Sequence, residues 1–317
     1  MQKRDPENWL SLHFFVPEPL NDFLLTHIYP LVADLYEDEL ISQFFFIRYG
    51  ENGPHIRLRM LCENQEKIRA VKDFVENKFK DTFELNAELK EDGNYPAQSI
   101  QTIAYERELE RYGENAIDLI EDHFCVSSEF ALTMLNQTAD IYDDNNSLGF
   151  VLQMQIYYVH GLGMDDEETL LFLESAFETY LNSFLVKDKE QDKNRANAIA
   201  DFQALYEKSK QGVGEIFTQV WNMLNDEDVD TSNHDFYNHT LEMSEAMIDF
   251  HKNGLLNPRE ASFMQDLDNL TEEQQLTWPT YLDLYHLLNN RMGFLQPENE
   301  VYLLYALKEA LKGQMAS

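Results

Sequence analysis

Apolar positions recur with two different periods along this chain, and the change falls near residue 110. The run WLSLHFFV (9–16) is dense in aromatic and aliphatic residues and predicts a strand. In PEPLNDFLLTHIYPLVADL, Leu20, Phe23, Leu24, His27 and Ile28 fall at helical spacing. Pro30 lacks an N–H and its ring crowds the turn before it, so that helix should kink or end there. QFFFIRYG (43–50) and HIRLRM (55–60) alternate like strands, and the Asn-Gly-Pro between them predicts a hairpin-like connection. Residues 64–80 predict a helix with Ile68, Val71, Phe74, Val75 and Phe79 on one side. TFELNAELK (82–90) and SIQTIAYER (99–107) predict two more strands. The order β-α-β-β-α-β, with one possible extra strand, predicts an α+β fold with a ferredoxin-like N-terminal sheet region.

From about residue 112 the period becomes 3.6. Helices are expected over 113–139, 148–160, 167–186, 192–225, 235–253, 259–268, 280–292 and 297–313, with Pro258, Pro279 and Pro297 at or near helix starts. The expected division is a ferredoxin-like region, 1–111, and a mainly helical region, 112–317. No long linker separates them, so they are expected to pack as one functional unit.

Composition narrows the function. A formal net charge of −34 repels nucleic acid, whose binding rests on Lys and Arg neutralising phosphates. The acid runs DDNN (143–146), DDEE (165–168) and NDEDVD (225–230) read as solvated loops or helix ends, with docking to a basic partner as the functional alternative. No stretch is long and apolar enough to predict a membrane span, and MQKRDPENWL does not read as a secretory signal. Two cysteines do not make a disulfide framework. Cys62 and Cys125 are expected to be reduced, Cys125 as a buried structural thiol, and the location cytoplasmic. HExxH, CxxC, GxSxG and a phosphate-cradling Gly-rich loop are all missing, and His234 and His239 stand five apart, a poor helical spacing for one metal. No metal or other cofactor is expected.

The chain has ten arginines, and six fall in three clusters. Residues two apart on a strand share a face. HIRLRM therefore sets His55, Arg57 and Arg59 on one side and Ile56, Leu58 and Met60 on the other, near Arg48. That face is either a solvated one paired with acids or an anion pocket, since guanidinium matches carboxylate in a fork. In YERELERYG (105–113), Arg107 and Arg111 are four apart, and Glu106 and Glu110 are spaced to pair with them on a helix. In WPTYLDLYHLLNNRMG (278–293), Tyr281, Tyr285, Leu288 and Met292 form a buried stripe. His286, Asn290 and Gly293 run beside it, with Arg291 next in line. His286 is either a surface histidine or a base oriented by its neighbours.

Taken together and in order, FFFIRYGENGPHIRLRM (44–60), YERELERYG (105–113) and HLLNNRMG (286–293) resemble the signature segments of the lantibiotic dehydratase C-terminal domain, also called the thiopeptide-type bacteriocin biosynthesis domain. WLSLHFFV and the Glu121, Phe124, Ser127, Ser128 pattern fit the same family. The resemblance implies a lyase that eliminates glutamate from glutamylated Ser or Thr of a ribosomal precursor peptide, leaving dehydroalanine or dehydrobutyrine. It implies that His286, Arg57, Arg59 and Arg111 are catalytic and lie around one pocket. Arg48, His55, Arg107, Asn290 and Arg291 become candidates for holding the substrate. A separate glutamyl-tRNA-dependent glutamylation subunit would be the partner, so no direct nucleic-acid contact is expected. Glu114 departs from the family, which often has a second glycine after R-Y-G. Two alternatives remain: a formal cycloaddition like that of thiopeptide pyridine synthases, or a non-catalytic subunit that holds a precursor peptide by strand addition at the sheet edge.

Overall fold

The structure, a computed structural model, describes residues 4–142, 146–185, 191–226, 234–256 and 269–316. It resolves two compact units, each discontinuous in sequence. The first comprises the chain up to Leu109, Ile117–Asp140 and Asn290–Gly293; the second comprises Glu110–Ala116, Ile141–Asn289 and Phe294 onward.

The first unit holds the sheet. Strands β1 (Trp9–Phe15), β2 (Gln43–Tyr49), β3 (His55–Leu61), β4 (Glu84–Leu85) and β5 (Ser99–Thr102) lie in the order β2-β3-β1-β5-β4. All pairings are antiparallel except β4 with β5. Setting aside the two-residue β4, this is the ferredoxin-like order, with the first strand inside the sheet. Helices α1 (Leu20–Phe23), α2 (Tyr29–Glu37) and α3 (Gln65–Phe79) connect the strands. Between α1 and α2, Leu24–Ile28 forms a π-helical turn just before Pro30, which answers the expected kink. Asn64 starts α3 by accepting from the backbone N–H of Glu66 and Lys67, both at 3.0 Å. Period-two alternation gives the sheet two unlike faces. Leu12, Phe14, Phe46, Ile56, Leu58 and Met60 are buried on one, where Phe14 meets Phe23 and Phe79.

The second unit is helical. It contains α5 (Ser147–Gly161), α6 (Asp166–Phe184), α7 (Gln191–Asn225), α8 (Asp235–Lys252), most of α9 (Glu272–Arg291) and α10 (Pro297–Met315). Helix α10 packs on α6 and α7, and α5 packs on α7 and α8. Asp165 caps α6 by accepting from the Glu168 N–H at 2.8 Å. Helix α4 (Leu109–Gln137) contributes its first turns here and the rest to the first unit. Among the described residues, no helix is long and apolar enough to cross a membrane.

Several boundaries differ from the sequence reading. The strands expected over 82–90 and 99–107 shrink to Glu84–Leu85 and Ser99–Thr102. Asn86 stands at φ 50°, left-handed backbone that does not continue a strand. Pro279 lies inside α9, not at its start. The start is set eight residues earlier by a capping box. Thr271 Oγ1 accepts from the Gln274 N–H at 3.3 Å, and the Gln274 side chain accepts from the Thr271 N–H at 3.0 Å. Helix 259–268 and Pro258 fall outside the described residues, as do parts of the acid runs at 143–146 and 225–230. His234 stacks on Tyr157 at 5.0 Å. Cys62 and Cys125 are free and buried, and burial pushes the Cys62 thiol up to about 11.

Candidate functional site

A cavity of about 460 Å³ opens in the helical unit, lined by Arg111, Tyr180, Asp283, His286, Glu300 and Val301 among others. Arg111 comes from the R-Y-G motif. Gly113 sits at φ 77°, ψ 157°, inside α4, a break that favours glycine and ends the short helical turn carrying Arg111. Asp283 and His286 are one turn apart on α9 and so share a face. Arg111 forms an ion pair with the almost fully buried Asp283 carboxylate, donating from Nη2 to Oδ1 at 3.1 Å with Nε 3.0 Å from Oδ2.

Glu300 stands in the first turn of α10 and is 4% exposed. Its carboxylate accepts from His286 Nδ1, at 2.9 and 3.1 Å to its two oxygens, and from Asn289 Nδ2 at 3.0 Å. Asn289 Oδ1 in turn accepts from Gln155 Nε2 at 2.7 Å, and the same amide donates to the Tyr285 carbonyl at 2.9 Å. The His286 side chain is 48% exposed. Burial works against its charge, but the hydrogen bond and charge of Glu300, with Asp283 behind, raise its pKa above 6.5 despite Arg111. A histidine held at one nitrogen by a carboxylate, and open at the other, can exchange protons with a molecule in the cavity.

The arginine strand lies in the other unit, on the sheet face opposite the apolar core. Register sets Ser11 beside Arg59, His13 beside Arg57, and Phe15 beside His55. This face is not a solvated one: Ser11, His13 and His55 are buried. His13 and His55 stack at 5.2 Å, and the Arg57 guanidinium lies 3.5 Å over Tyr49. His55 donates from Nδ1 to the Gly53 carbonyl at 2.9 Å and accepts the Arg57 Nε–H at 3.1 Å. Arg59 is sandwiched near Tyr105 and Phe45, with its Nε and the Ser11 Oγ buried without a hydrogen-bond partner. Burial, then the neighbouring cations, depress His13 to about 3. Burial likewise depresses His55 to about 4 and Arg59 to about 10. A guanidinium with an unmet donor in a dry setting is prepared for an anion.

The remaining motif residues build the first unit's frame. Arg48 donates from Nε and Nη2 to the Arg291 carbonyl at 3.1 and 2.8 Å. Asn290 takes the Arg48 N–H at 2.8 Å and gives its own amide to the Arg48 carbonyl at 2.9 Å. Gly293, at φ 77°, lies where a Cβ would meet the Arg48 guanidinium at 3.1 Å, so a side chain there would strain the backbone and crowd Arg48. Arg291 is fully buried and donates to Ser128 Oγ at 2.8 Å. That hydroxyl also accepts the Phe46 N–H at 3.1 Å and donates to the Phe124 carbonyl at 2.7 Å, which uses its full capacity. Arg107 precedes helix α4, so it does not pair along a helix with Glu106 or Glu110. It bonds Glu121 at 2.7 Å through both Nε and Nη2, and it bonds Asp118. Tyr105 donates to Glu121 as well, at 3.0 Å.

Asp283, Asn289, Glu300, Ser11 and His13 were not singled out from the sequence. Glu300 left a signal: it occupies an apolar register position with Leu304, Leu307 and Leu311, where an acid is out of place. No group of three or more His, Cys, Asp or Glu among the described residues is arranged to hold a metal.

The family described as "Lantibiotic biosynthesis dehydratase C-term" matches residues 9–311. Epidermin biosynthesis protein EpiB of Staphylococcus epidermidis is 28% identical over 131 residues, 41% of this chain and 12% of that protein. Subtilin biosynthesis protein SpaB of Bacillus subtilis is 26% identical over 213 residues, 65% of this chain and 19% of its own length. The matches therefore span less than a fifth of these curated relatives. Two solved structures share the fold. Pyridine synthase TbtD from thiomuracin biosynthesis superposes with a TM-score of 0.70 at 13% identity, over 96% of this chain and 98% of that one. The tRNA-dependent lantibiotic dehydratase MibB from Microbispora sp. 107891 gives 0.65 at 16% identity, over 100% of this chain and 29% of that one. Sequence motifs, fold and family match agree, and the chain belongs to the lantibiotic biosynthesis dehydratase C-terminal family.

Proposed function

We propose that this chain is a lyase that removes glutamate from glutamylated Ser or Thr of a ribosomal precursor peptide. The observation that carries the reading is the His286–Glu300 pair on the same cavity as the Arg111–Asp283 pair. Elimination needs a base to take the peptide Cα proton. The electrons of that C–H bond form the Cα–Cβ double bond, and the Cβ–O bond breaks as glutamate leaves through its ester carboxylate. His286 is the group in the matched set that exchanges protons near neutral pH. Arginine stays charged, and Arg111, Arg57 and Arg59 supply donors for the carboxylates of the glutamyl group. Arg48, Asn290, Arg291 and Arg107, proposed from sequence as binding residues, act instead through the frame they lock. A separate glutamylation subunit supplies the ester, and a chain of net charge −34 leaves the tRNA to that partner.

The test is a complete system containing precursor peptide, glutamyl-tRNA and the glutamylation subunit. His286→Ala should accumulate glutamyl adducts by mass spectrometry, with dehydration slowed about 10²–10⁴-fold. Dehydration at the normal rate would sink the assignment. If a glutamylated peptide is never consumed, and a peptide carrying two dehydroalanines is instead joined into a ring, the cycloaddition reading replaces this one.

A further inference from the structure

The strand of hydrogen bonds behind His286 has a fixed direction. Glu300 accepts from both of its neighbours, as a carboxylate does. Asn289 must therefore turn its NH₂ toward Glu300 and its oxygen toward Gln155, and Gln155 must donate. The arrangement leaves Gln155 Oε1 buried without a partner. An orphaned acceptor at a fully buried residue is unfavourable, so the orientation is held against a local penalty. Asn289 is also fully buried, and Glu300 nearly so. The series runs from Gln155 through Asn289 to the carboxylate, and the carboxylate holds only one ring nitrogen of His286.

We infer that Glu300, braced by Asn289 and Gln155, is a positioning residue that keeps the proton of neutral His286 on Nδ1, so that proton exchange with the substrate takes place at Nε2. The inference rests on the elimination reading for its place in a reaction, but its geometry is a property of the free protein. The charged groups around the imidazole are Asp283 on its own helix, Arg111 from α4 and Glu300 from α10, with the Tyr180 hydroxyl on the cavity wall from α6. Glu300 and Asp283 favour the imidazolium and Arg111 opposes it. Removing the Glu300 charge therefore lowers the midpoint at which His286 takes up a proton.

The experiment is ¹⁵N NMR of histidine-labelled full-length protein, with the His286 signals assigned by comparison with His286→Ala. In the wild type, the neutral ring should carry its proton on Nδ1 and titrate above 6.5. In Glu300→Gln, which keeps the shape, the midpoint should fall by about one to three pH units. A neutral ring protonated on Nε2 in the wild type, or a midpoint unmoved by Glu300→Gln, overturns the inference. The wild-type tautomer needs no variant, so a failure of Glu300→Gln to fold does not block the test. Turnover separates the two claims. In the complete system Glu300→Gln should lower kcat with little change in KM, and the acid limb of its pH–rate profile should move down with the NMR midpoint. If the NMR result holds and His286→Ala still eliminates normally, the elimination reading falls and the positioning of His286 stands.

Discussion

Histidines beside charged groups occur in both units, with opposite outcomes. On the sheet face, His13 and His55 are buried among Arg57 and Arg59 and are pushed down to about 3 and 4. In the helical unit, His286 is half exposed, bonded to Glu300, and raised. His13 and His55 serve as neutral packing beside cations, while His286 is poised to change charge. Carboxylate placement makes the difference. Arg111 and His286 each own one, whereas the carboxylate nearest Arg57 is Glu51, at 3.6 Å and 66% exposed, and the buried Glu121 is bound to Arg107. Arg59 therefore keeps an unmet donor at Nε, and Arg57 is paired with an exposed acid.

That contrast can be broken in several ways. The largest effect is expected from Glu121→Gln. It strips a fully buried carboxylate from Arg107, and losing one partner of such a pair typically costs about 3–5 kcal/mol. Urea unfolding should show it, and a change under about 1 kcal/mol would mean that Asp118 alone suffices as the partner of Arg107. Next comes Ser11→Asp, which gives Arg59 an internal counter-ion across the strand pair. If the strand awaits a substrate carboxylate, elimination should drop about 10–100-fold, from the ~1.5–3 kcal/mol of one charged hydrogen bond, with the fold retained. An unchanged rate would remove Arg59 from substrate recognition.

Acid should expose the histidine contrast directly. For His13 and His55 the folded values lie below the unfolded 6.5, so the unfolded chain binds protons first. Their contribution is present above about pH 6.5 and is lost as pH falls toward 4 and 3. His13→Asn should flatten the fall of Tm between pH 7 and pH 4.5. A slope identical to the wild type would argue against a buried neutral imidazole there. The smallest effect is expected at Tyr36→Phe, which deletes an exposed bond to Glu129 at 2.7 Å, about 0.5–1.5 kcal/mol at most. It serves as the control for ordinary surface hydrogen bonds.

What the sequence disclosed follows from the range of each signal. Strand alternation is local, so the split of HIRLRM into an apolar and a cationic side was readable, as was the hairpin. The stripe Tyr281, Tyr285, Leu288 and Met292 is buried as its spacing predicts. Pairings across long separations left no trace in spacing. Arg111 finds Asp283 172 residues away, and Arg48 finds Asn290 242 residues away. Charge alone could not say that Arg107 braces Glu121 while Arg111 lines a cavity, because both come from one short motif. The T-x-x-Q box at Thr271 was local and readable, and the proline eight residues later drew the helix start away from it.

The edge of β2 carries a last consequence. A bare strand edge recruits other chains, and a protein with an open sheet is exposed to self-association along it. Here the Phe46 and Arg48 N–H groups are met by Ser128 and Asn290, and the Asn290 amide bonds both the N–H and the carbonyl of Arg48 as a neighbouring strand would. One side chain from the far end of the sequence serves as a single rung of the ladder. The H-L-L-N-N-R-M-G segment thus covers part of this strand edge with the same few residues that carry His286, and Asn290→Ala should raise self-association, read by light scattering.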